Sequence, residues 1–365
     1  MKRISRLLVL GAAAAAALIG SAPSAEACSR ILYVGSDSLR IVGRSLDWKT
    51  PIPTNLYVYP RGIAKKGHDK PGAVTWTSRY GAVYAVGYDG GVTEGMNEKG
   101  LVINGLFCRG TVYENDSTRD LPPMSLAMFP AWILDNCATT ADAVALLRKQ
   151  DFNISGAEFD GGTTSTLHWG ITDPTGASAM VEFDHGHINI YEGQDLPVLT
   201  NDPTYPAITA INEYWTKIGG THMLPGTVTS ADRFVRAAFF DSHVEKTADP
   251  DLGVSIVRSI MANVSVPYTY TSGEANLSAT QWRSYANIRD LRYYFDVVTN
   301  DGIFYIDLAK CDLRKGAPVM KIDVSKSRLY VGEANGHLFR TAPFTPMYRS
   351  LIPLWRCRRT VGWRS

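Results

Sequence analysis

The chain has 365 residues, of which 45% are apolar and 20% are charged, and its formal net charge is +2 at neutral pH. This near-neutral balance gives no support to nucleic-acid binding, which usually shows a strongly basic face. Beyond the N-terminal region, no apolar run approaches the roughly 20 residues that a membrane-spanning helix needs. We therefore expect a globular protein with no nucleic-acid partner and no membrane span.

The N-terminus has the pattern of an export signal. Basic residues precede an apolar run over 7–19, and Ala25 and Ala27 form the A-x-A pattern at which a signal peptidase cuts. We expect residues 1–27 to be a signal peptide. Cleavage at this point makes Cys28 the first residue of a protein that is periplasmic or secreted.

A cysteine at the start of the mature chain combines two reactive groups on one residue. The α-amine has an unperturbed pKa of roughly 7.7–8.0, so it can act as a base near neutral pH. The thiol is the nucleophile that such an amine activates. Three other hypotheses stay open here. In the first, Cys28 is lipidated in a non-catalytic, lipid-anchored binding protein, although Ala25 stands where lipoprotein signals usually have leucine. In the others, Cys28 forms half of a disulfide or is an ordinary cysteine that happens to follow the cleavage site.

The remaining cysteines and the histidines indicate neither a disulfide scaffold nor a metal site. The chain has five cysteines at wide, irregular spacing, and an odd number leaves at least one thiol free in an exported protein. The seven histidines show no ligand spacing. We find no G-x-S-x-G motif, which disfavours a serine hydrolase, and we expect no metal and no organic cofactor.

The first part of the chain is rich in predicted strands. Short apolar runs over 31–34 and 39–42 flank the turn residues Gly35-Ser36-Asp37, which predicts a hairpin. The turn Met96-Asn97-Glu98-Lys99-Gly100 precedes another apolar strand. The further runs typical of strands cover 56–59, 74–78, 83–88 and 101–107.

Helices and strands then alternate in blocks. Helical patterns cover 124–134, a segment that begins at Thr139 or Thr140 as N-cap, 207–217 and 230–243. Turn residues at 173–176 and 299–302 predict two more hairpins. This order indicates an α+β fold with antiparallel sheets rather than a βαβ alternation. Without a repeat or a linker, we expect one domain over 28–340, followed by a basic tail of uncertain structure over 341–365.

Several motifs follow Cys28 in a fixed order. They are Gly43-Arg44-Ser45-Leu46-Asp47-Trp48, Met96-Asn97-Glu98-Lys99-Gly100-Leu101, Leu199-Thr200-Asn201-Asp202-Pro203-Thr204-Tyr205, Leu224-Pro225-Gly226, the run over 230–239, and Thr280-Gln281-Trp282 with Asp290-Leu291. As an ordered set over nearly all of 28–325, they resemble the choloylglycine hydrolases and penicillin V acylases, which are N-terminal nucleophile hydrolases. The resemblance implies a four-layer αββα sandwich of two antiparallel sheets and hydrolysis of linear amide bonds.

The resemblance also implies catalytic roles for five residues. Cys28 matches the nucleophile, and Arg44 and Asp47 match the polar pair beside it. Asn201 matches the asparagine whose side chain stabilises the oxyanion. Arg233 matches the second active-site arginine. An arginine near the thiol favours the thiolate, and a carboxylate can hold the α-amine in place.

Substrate contacts are predicted at three further positions. Trp48 and Phe107 would form aromatic walls of an acyl pocket, although plain core packing explains them equally well. Where Phe107 stands, bile-salt hydrolases have asparagine and penicillin V acylases have tyrosine. A backbone N–H at this position would still serve as the second oxyanion donor, whereas a required side chain would be missing. Asn104 is a candidate substitute, and Arg236 is the fallback for the second arginine.

The export signal favours the Gram-negative branch of the family, which is associated with penicillin V and, in some members, with long-chain acyl-homoserine lactones. We therefore expect an exported amidase whose partner is a small amide with a bulky apolar acyl group. A conjugated bile-salt hydrolase is the alternative within this class. Family members are often homotetramers, and the sequence leaves the oligomeric state open.

Overall fold

The structure is a computed structural model that describes residues 28–113, 120–156, 158–159, 163–194, 196–219, 223–269 and 278–348. The predicted signal peptide and residues 349–365 of the predicted tail lie outside the described residues. Four of the five cysteines are described, at positions 28, 108, 137 and 311, and all four carry free thiols. No helix within the described part of the chain is long and apolar enough to cross a membrane.

Most of the chain forms short strands. In chain order these are β1 (Ser29–Val34), β2 (Arg40–Trp48), β3 (Thr54–Tyr59), β4 (Ala64–Lys66), β5 (Thr75–Thr77), β6 (Ala82–Gly87), β7 (Gly91–Asn97), β8 (Val102–Phe107), β9 (Pro123–Ser125), β10 (Asn153–Ser155), β11 (Glu158–Phe159), β12 (Thr163–Thr164), β13 (Leu167–Thr172), β14 (Ser178–Asp184), β15 (His187–Gly193), β16 (Val198–Leu199), β17 (Ala279–Asn287), β18 (Arg292–Val297), β19 (Phe304–Asp307), β20 (Met320–Ile322), β21 (Gly332–Glu333) and β22 (Phe339–Arg340).

Five α-helices are described, together with short 3₁₀ helices near the C-terminus. The α-helices are α1 (Phe129–Asn136), α2 (Thr140–Leu147), α3 (Tyr205–Ile218), α4 (Ser230–His243) and α5 (Pro250–Asn263). The 3₁₀ helices are Leu308–Lys310, Val324–Leu329 and Asn335–His337.

Two large sheets form the centre of the fold. The seven-stranded sheet has the order β16-β1-β2-β17-β18-β19-β21, and the nine-stranded sheet has the order β15-β14-β13-β8-β7-β6-β3-β20-β22. Neighbouring strands are antiparallel in both sheets except for the pair β19–β21. Helices α1 and α2 pack on the nine-stranded sheet, and α4 and α5 pack on the seven-stranded sheet. This arrangement confirms the predicted four-layer αββα sandwich.

Three apolar clusters correspond to the three interfaces between the four layers. The middle cluster joins residues of both sheets, for example Leu46 and Val83. The two outer clusters join each sheet to its own helices, as Trp169 does with Phe129 and Ile31 does with Val257. Each sheet therefore buries both of its faces, which explains why its strands show almost continuous apolar runs rather than alternation.

Local chemistry explains where several elements begin. The hairpin β1–β2 closes at the predicted turn, where the Gly35 N–H donates to the Leu39 carbonyl at 2.9 Å. Helix α2 begins after Thr139, whose hydroxyl accepts from the Asp142 N–H in a reciprocal capping box. The predicted helices over 207–217 and 230–243 are confirmed as α3 and α4.

One predicted helix was wrong, and another was missed. Residues 124–134 do not form a single helix, because 123–125 form strand β9 and α1 begins only at Phe129. Pro130 lies in the first turn of α1, where its missing N–H costs nothing. Helix α5 was not predicted, although Asp249 caps it by accepting from the Asp251 and Leu252 N–H groups.

The fold extends beyond the boundary predicted at residue 340. Residues 341–348 continue from β22 and pack against the nine-stranded sheet, where Phe344 and Tyr348 join the outer cluster. The Thr341 N–H donates to the Val319 carbonyl at 2.9 Å. This part of the predicted tail therefore belongs to the folded body.

Candidate active site

Cys28 lies at the start of β1 and is only 4% exposed. Its backbone N–H donates to Asn201 Oδ1 at 2.7 Å. Its sulfur is 3.7 Å from the Asp47 carbonyl oxygen and 3.9 Å from Arg44 Nη2. The nitrogen and the sulfur of one residue therefore both contact residues that the motifs singled out.

Arg44 reaches the sulfur from β2 and is itself held by a buried carboxylate. Its Nε is 3.2 Å from Glu94 Oε2, and both side chains are almost completely buried. Glu94 Oε1 also accepts hydrogen bonds from the hydroxyls of Ser284 and Tyr293. Because a buried charge needs a partner, Glu94 balances the charge of Arg44 and fixes its position. Glu94 was not predicted, since its partners are distant in sequence.

Asp47 occupies a buried position on the same strand. Burial raises the pKa of its carboxyl from the usual 3.8 to about 6, although the Arg233 guanidinium and the Thr280 hydroxyl act to lower it. Ser45 donates to Asp47 Oδ2 at 3.3 Å. Asp47 Oδ1 is buried without a hydrogen-bond partner among the described residues. It is an unused acceptor in the neighbourhood of Cys28.

Arg233, from the first turn of α4, binds the backbone around Cys28. Its Nη1 donates to the Cys28 carbonyl and to Ser29 Oγ, both at 2.6 Å. Nη2 donates to Asn201 Oδ1 at 2.7 Å, and Nε donates to the Val228 carbonyl at 2.9 Å. The fully buried guanidinium thus links β1, α4 and the segment that follows β16.

Asn201 is held on both sides of its amide. Its Oδ1 accepts from Cys28 and Arg233, and its Nδ2 donates to the Phe107 carbonyl at 2.7 Å. Its own N–H donates to Ser230 Oγ at 2.9 Å. The second Nδ2 hydrogen has no acceptor among the described residues, so it is free to bind another group.

The thiol of Cys28 experiences opposing influences. Burial raises its pKa, while the positive charges of Arg44 and Arg233 lower it and the carboxylate of Asp47 raises it. Burial is the largest of these causes, so in the full-length chain the thiol is the favoured form. Deprotonation therefore requires a base close to the sulfur.

Cys28 lines a cavity of about 100 Å³ whose walls are mostly apolar. Trp48 and Phe107 line it as predicted, with ring centroids 5.5 Å apart. Both rings also belong to the apolar cluster between the sheets. They are therefore cavity walls and core residues at the same time. The other walls come from Leu46, Ile52, Val92, Leu126, Leu167 and Met347.

Two predicted candidates lie away from the cavity. The Asn104 side chain accepts from Arg30 Nε at 3.0 Å and does not line the cavity. Its strand neighbours Gly105 and Phe107 do line it, because side chains alternate along β8. Arg236 donates to the Pro225 and Thr227 carbonyls, so Arg233 rather than Arg236 contacts Cys28. The structure thus places the Asn104 side chain against Arg30 rather than in the cavity.

One cluster of metal-ligand types lies beside the site. Atoms of Cys108, His168 and Glu182 are buried within 4.8 Å of one another. His168 Nε2 is 2.6 Å from the Thr200 carbonyl, and Nδ1 is 3.2 Å from Glu182 Oε1. Although burial opposes it, hydrogen bonds from this histidine to Cys108 and Glu182 raise the pKa of His168 to about 10. Both ring nitrogens of His168 have partners within the chain, the Thr200 carbonyl and the Glu182 carboxylate, so we interpret the cluster as one that holds Thr200 in place, next to Asn201.

The buried pair of Arg44 and Glu94 predicts a large loss of stability when its charge balance is broken. In Glu94→Gln the amide keeps the shape of the side chain but leaves the Arg44 charge unpaired. We expect the free energy of unfolding to fall by about 3 kcal/mol, measured by urea unfolding followed by tryptophan fluorescence.

Glu213→Gln is the matched control, since Glu213 pairs with Lys217 at 2.6 Å on the exposed surface of α3. An exposed pair contributes little, so this variant should unfold like the wild type. Equal unfolding midpoints for Glu94→Gln and the wild type would contradict the structural role assigned to Glu94.

Comparisons with known proteins identify the family of this chain. Residues 28–326 match the family model of the linear amide C–N hydrolases, choloylglycine hydrolase family. The penicillin V acylase of Pectobacterium atrosepticum is 34% identical over 89% of this chain and 93% of its own length. The bile salt hydrolase/transferase of Clostridium perfringens is 28% identical over 78% of this chain and 94% of its own length.

A solved structure has the same architecture. The penicillin V acylase from Agrobacterium tumefaciens superimposes with a TM-score of 0.81 and 40% sequence identity, covering 88% of this chain and 99% of that one. The ordered motifs and the four layers thus agree with both comparisons. The chain belongs to the choloylglycine hydrolase family and is an enzyme that hydrolyses linear amide C–N bonds.

Proposed function

We propose that this chain is a cysteine amidohydrolase of the penicillin V acylase type, in which Cys28 attacks the carbonyl carbon of a linear amide. The observation that carries the proposal is the surroundings of Cys28. It lines an apolar cavity, its sulfur lies beside Arg44, and its nitrogen is bound by Asn201. The names of the Pectobacterium and Agrobacterium relatives support penicillin V as the first substrate to test.

We further propose that residues 1–27 are removed on export and that the mature protein is periplasmic or secreted. The A-x-A pattern ends at Ala27, and the match to the family model begins at residue 28. In the full-length chain the Cys28 nitrogen is a peptide nitrogen, which has no basic lone pair. Removal of the leader converts it into an amine that can accept a proton.

In the mature chain Cys28 supplies both nucleophile and base. The α-amine takes the thiol proton, directly or through a water, while the sulfur bonds to the carbonyl carbon. The tetrahedral adduct collapses, the C–N bond breaks, and the departing amine takes its proton from the α-ammonium. Water, deprotonated by the same α-amine, then hydrolyses the thioester, releases the carboxylic acid and restores the thiol. These steps use no cofactor.

The neighbouring side chains have distinct roles in this scheme. Arg44 and Arg233 favour the thiolate through their positive charges. Asp47 Oδ1, a buried acceptor without a partner among the described residues, can accept an additional N–H of the mature α-amine. Asn201 has a second Nδ2 hydrogen to donate to the oxyanion of the tetrahedral adduct. The Phe107 carbonyl accepts from Asn201, and the backbone N–H of Phe107 is the candidate second donor.

The cavity favours an amide with an apolar acyl group. Trp48 and Phe107 form its aromatic walls, and few polar groups other than those around Cys28 line it. Aromatic rings pack well on one another, which suits the acyl group of penicillin V. Long-chain acyl-homoserine lactones are further candidates. The similarity to the Clostridium perfringens protein makes a conjugated bile salt the second candidate substrate.

The test is a comparison of kcat/KM for three substrates with the protein that begins at Cys28. We expect penicillin V or a long-chain acyl-homoserine lactone to be preferred over glycocholate. Cys28→Ala removes the nucleophile and should abolish turnover of all three. Cys28→Ser should fold and keep little activity, because a hydroxyl is much harder to deprotonate than a thiol.

Cys137→Ala is the matched control, since Cys137 is equally buried but belongs to the cluster under α1. It should keep its kcat/KM. Full activity of Cys28→Ala would refute the proposed mechanism, and a preference for glycocholate would replace the proposed substrate with a bile salt.

The raised pKa of Asp47 predicts a distinctive pH profile. Below its pKa, Asp47 loses the negative charge that balances Arg233 and binds the α-amine, so kcat/KM should fall as the pH decreases. The α-ammonium of the mature chain adds a positive charge that lowers this pKa again. Protonation of the α-amine, which is the base, lowers kcat/KM first. We therefore expect Asp47 to add a second acid limb between the usual carboxyl value of 3.8 and about 6, and we expect Asp47→Asn to remove this second limb and to lower the activity.

Asp241→Asn is a suitable control for this profile. Burial also raises the pKa of Asp241, but that residue pairs with Lys246 at the end of α4 and does not line the cavity. Its variant should keep the second acid limb. A second acid limb of the same shape in Asp47→Asn would exclude Asp47 as its origin.

A further inference from the structure

The segment from Phe344 to Tyr348 crosses the face of the nine-stranded sheet and is fixed at both ends. The Phe344 N–H donates to the Tyr59 hydroxyl at 3.0 Å, and its ring packs edge-on against Tyr57 and Tyr59, with centroids 5.7 and 5.9 Å apart. The Tyr348 ring stacks on His68 with centroids 5.2 Å apart. We call residues 344–348 the C-terminal strap.

Between these two ends, the strap reaches the cavity of Cys28. The Met347 N–H donates to the Gly90 carbonyl at 2.9 Å, in the turn that joins β6 and β7. The Met347 side chain lines the cavity together with Trp48 and Phe107. A chain segment far from the motifs thus contributes directly to the walls of the site.

Gly90 leaves the space that Met347 occupies. A Cβ atom at position 90 would be 2.1 Å from Met347 Cε and 2.8 Å from Met347 Cγ, distances at which atoms overlap. Met347 therefore packs on the bare backbone of the β6–β7 turn. A side chain at position 90 would therefore displace Met347 from this position.

The strap also lies outside the part of the chain that matches the family model, which ends at residue 326. The cavity holds about 100 Å³, which is less than the roughly 300–1,000 Å³ of sites that enclose drug-sized ligands. A wall that can change its rotamer, as methionine does readily, would decide how long an acyl group the site accepts.

We propose that Met347 is a specificity-determining residue that forms an adjustable wall of the acyl site, held in place by Phe344 and Tyr348. This inference rests on the proposed function, since it concerns the acyl group of the same amide. Shortening the side chain should admit longer acyl groups. Loosening the strap at Tyr348 should have the same effect in weaker form.

The experiment measures kcat/KM of the full mature chain for short, medium and long straight-chain acyl amides that share one leaving group. We expect Met347→Ala to raise the ratio of long-chain to short-chain kcat/KM by about tenfold, a typical effect of changing the size of an apolar pocket. Tyr348→Ala should raise the ratio less. Met347→Leu, which keeps the volume, should stay close to the wild type.

Met223→Ala is the control, because Met223 is 54% exposed and does not line the cavity. It should leave the ratio unchanged. If the wild type hydrolyses the amides through Cys28 but Met347→Ala keeps the wild-type ratio, this inference is overturned and the proposed function stands. A mature wild type that is inactive on every one of these amides and on penicillin V overturns both.

Discussion

A buried guanidinium connects the parts of this structure that matter for its chemistry. Arg233 is completely buried, and burial of a charge is costly unless its hydrogen-bond donors are satisfied. It donates to the carbonyl of Cys28, to Ser29 Oγ and to Asn201 Oδ1. These bonds fix the start of β1 relative to α4 and to the segment after β16. The position of Cys28 therefore follows from the hydrogen bonds that the buried guanidinium of Arg233 needs between the seven-stranded sheet and its helices.

Strand β2 places both charged and apolar side chains near the sulfur of Cys28. Side chains alternate along a strand. Arg44, Leu46 and Trp48 therefore face the other sheet, whereas Asp47 faces the helices. Arg44 is then held by Glu94 of the nine-stranded sheet, while Asp47 feels the charge of Arg233 from α4. The sulfur lies at the start of β1, beside the Asp47 carbonyl and Arg44 Nη2. The apolar side chains of this strand, Leu46 and Trp48, line the cavity.

Local patterns could predict much of the fold. The capping residue Thr139 and the turn at 299–302 have strong conformational preferences, and both elements appear where expected. The prediction of one helix over 124–134 was wrong, because a short buried strand followed by a buried helix shows the same apolar run as a single helix. Within the site, the resemblance of the motifs to a known family predicted which main polar residues lie around Cys28. Glu94 and Met347 could not be found that way, since their roles depend on contacts with residues far away in the chain.

The most direct test of this account is the mass of the N-terminal peptide after brief reaction of the exported enzyme with penicillin V and acid quenching. The account predicts a peptide that begins at Cys28 and carries the acyl group of the substrate as a thioester on that residue. The same peptide should return to the mass of free cysteine when the reaction runs to completion. An active enzyme that retains residues before Cys28, or an acyl group found on any other residue, would contradict the central role of the N-terminal cysteine.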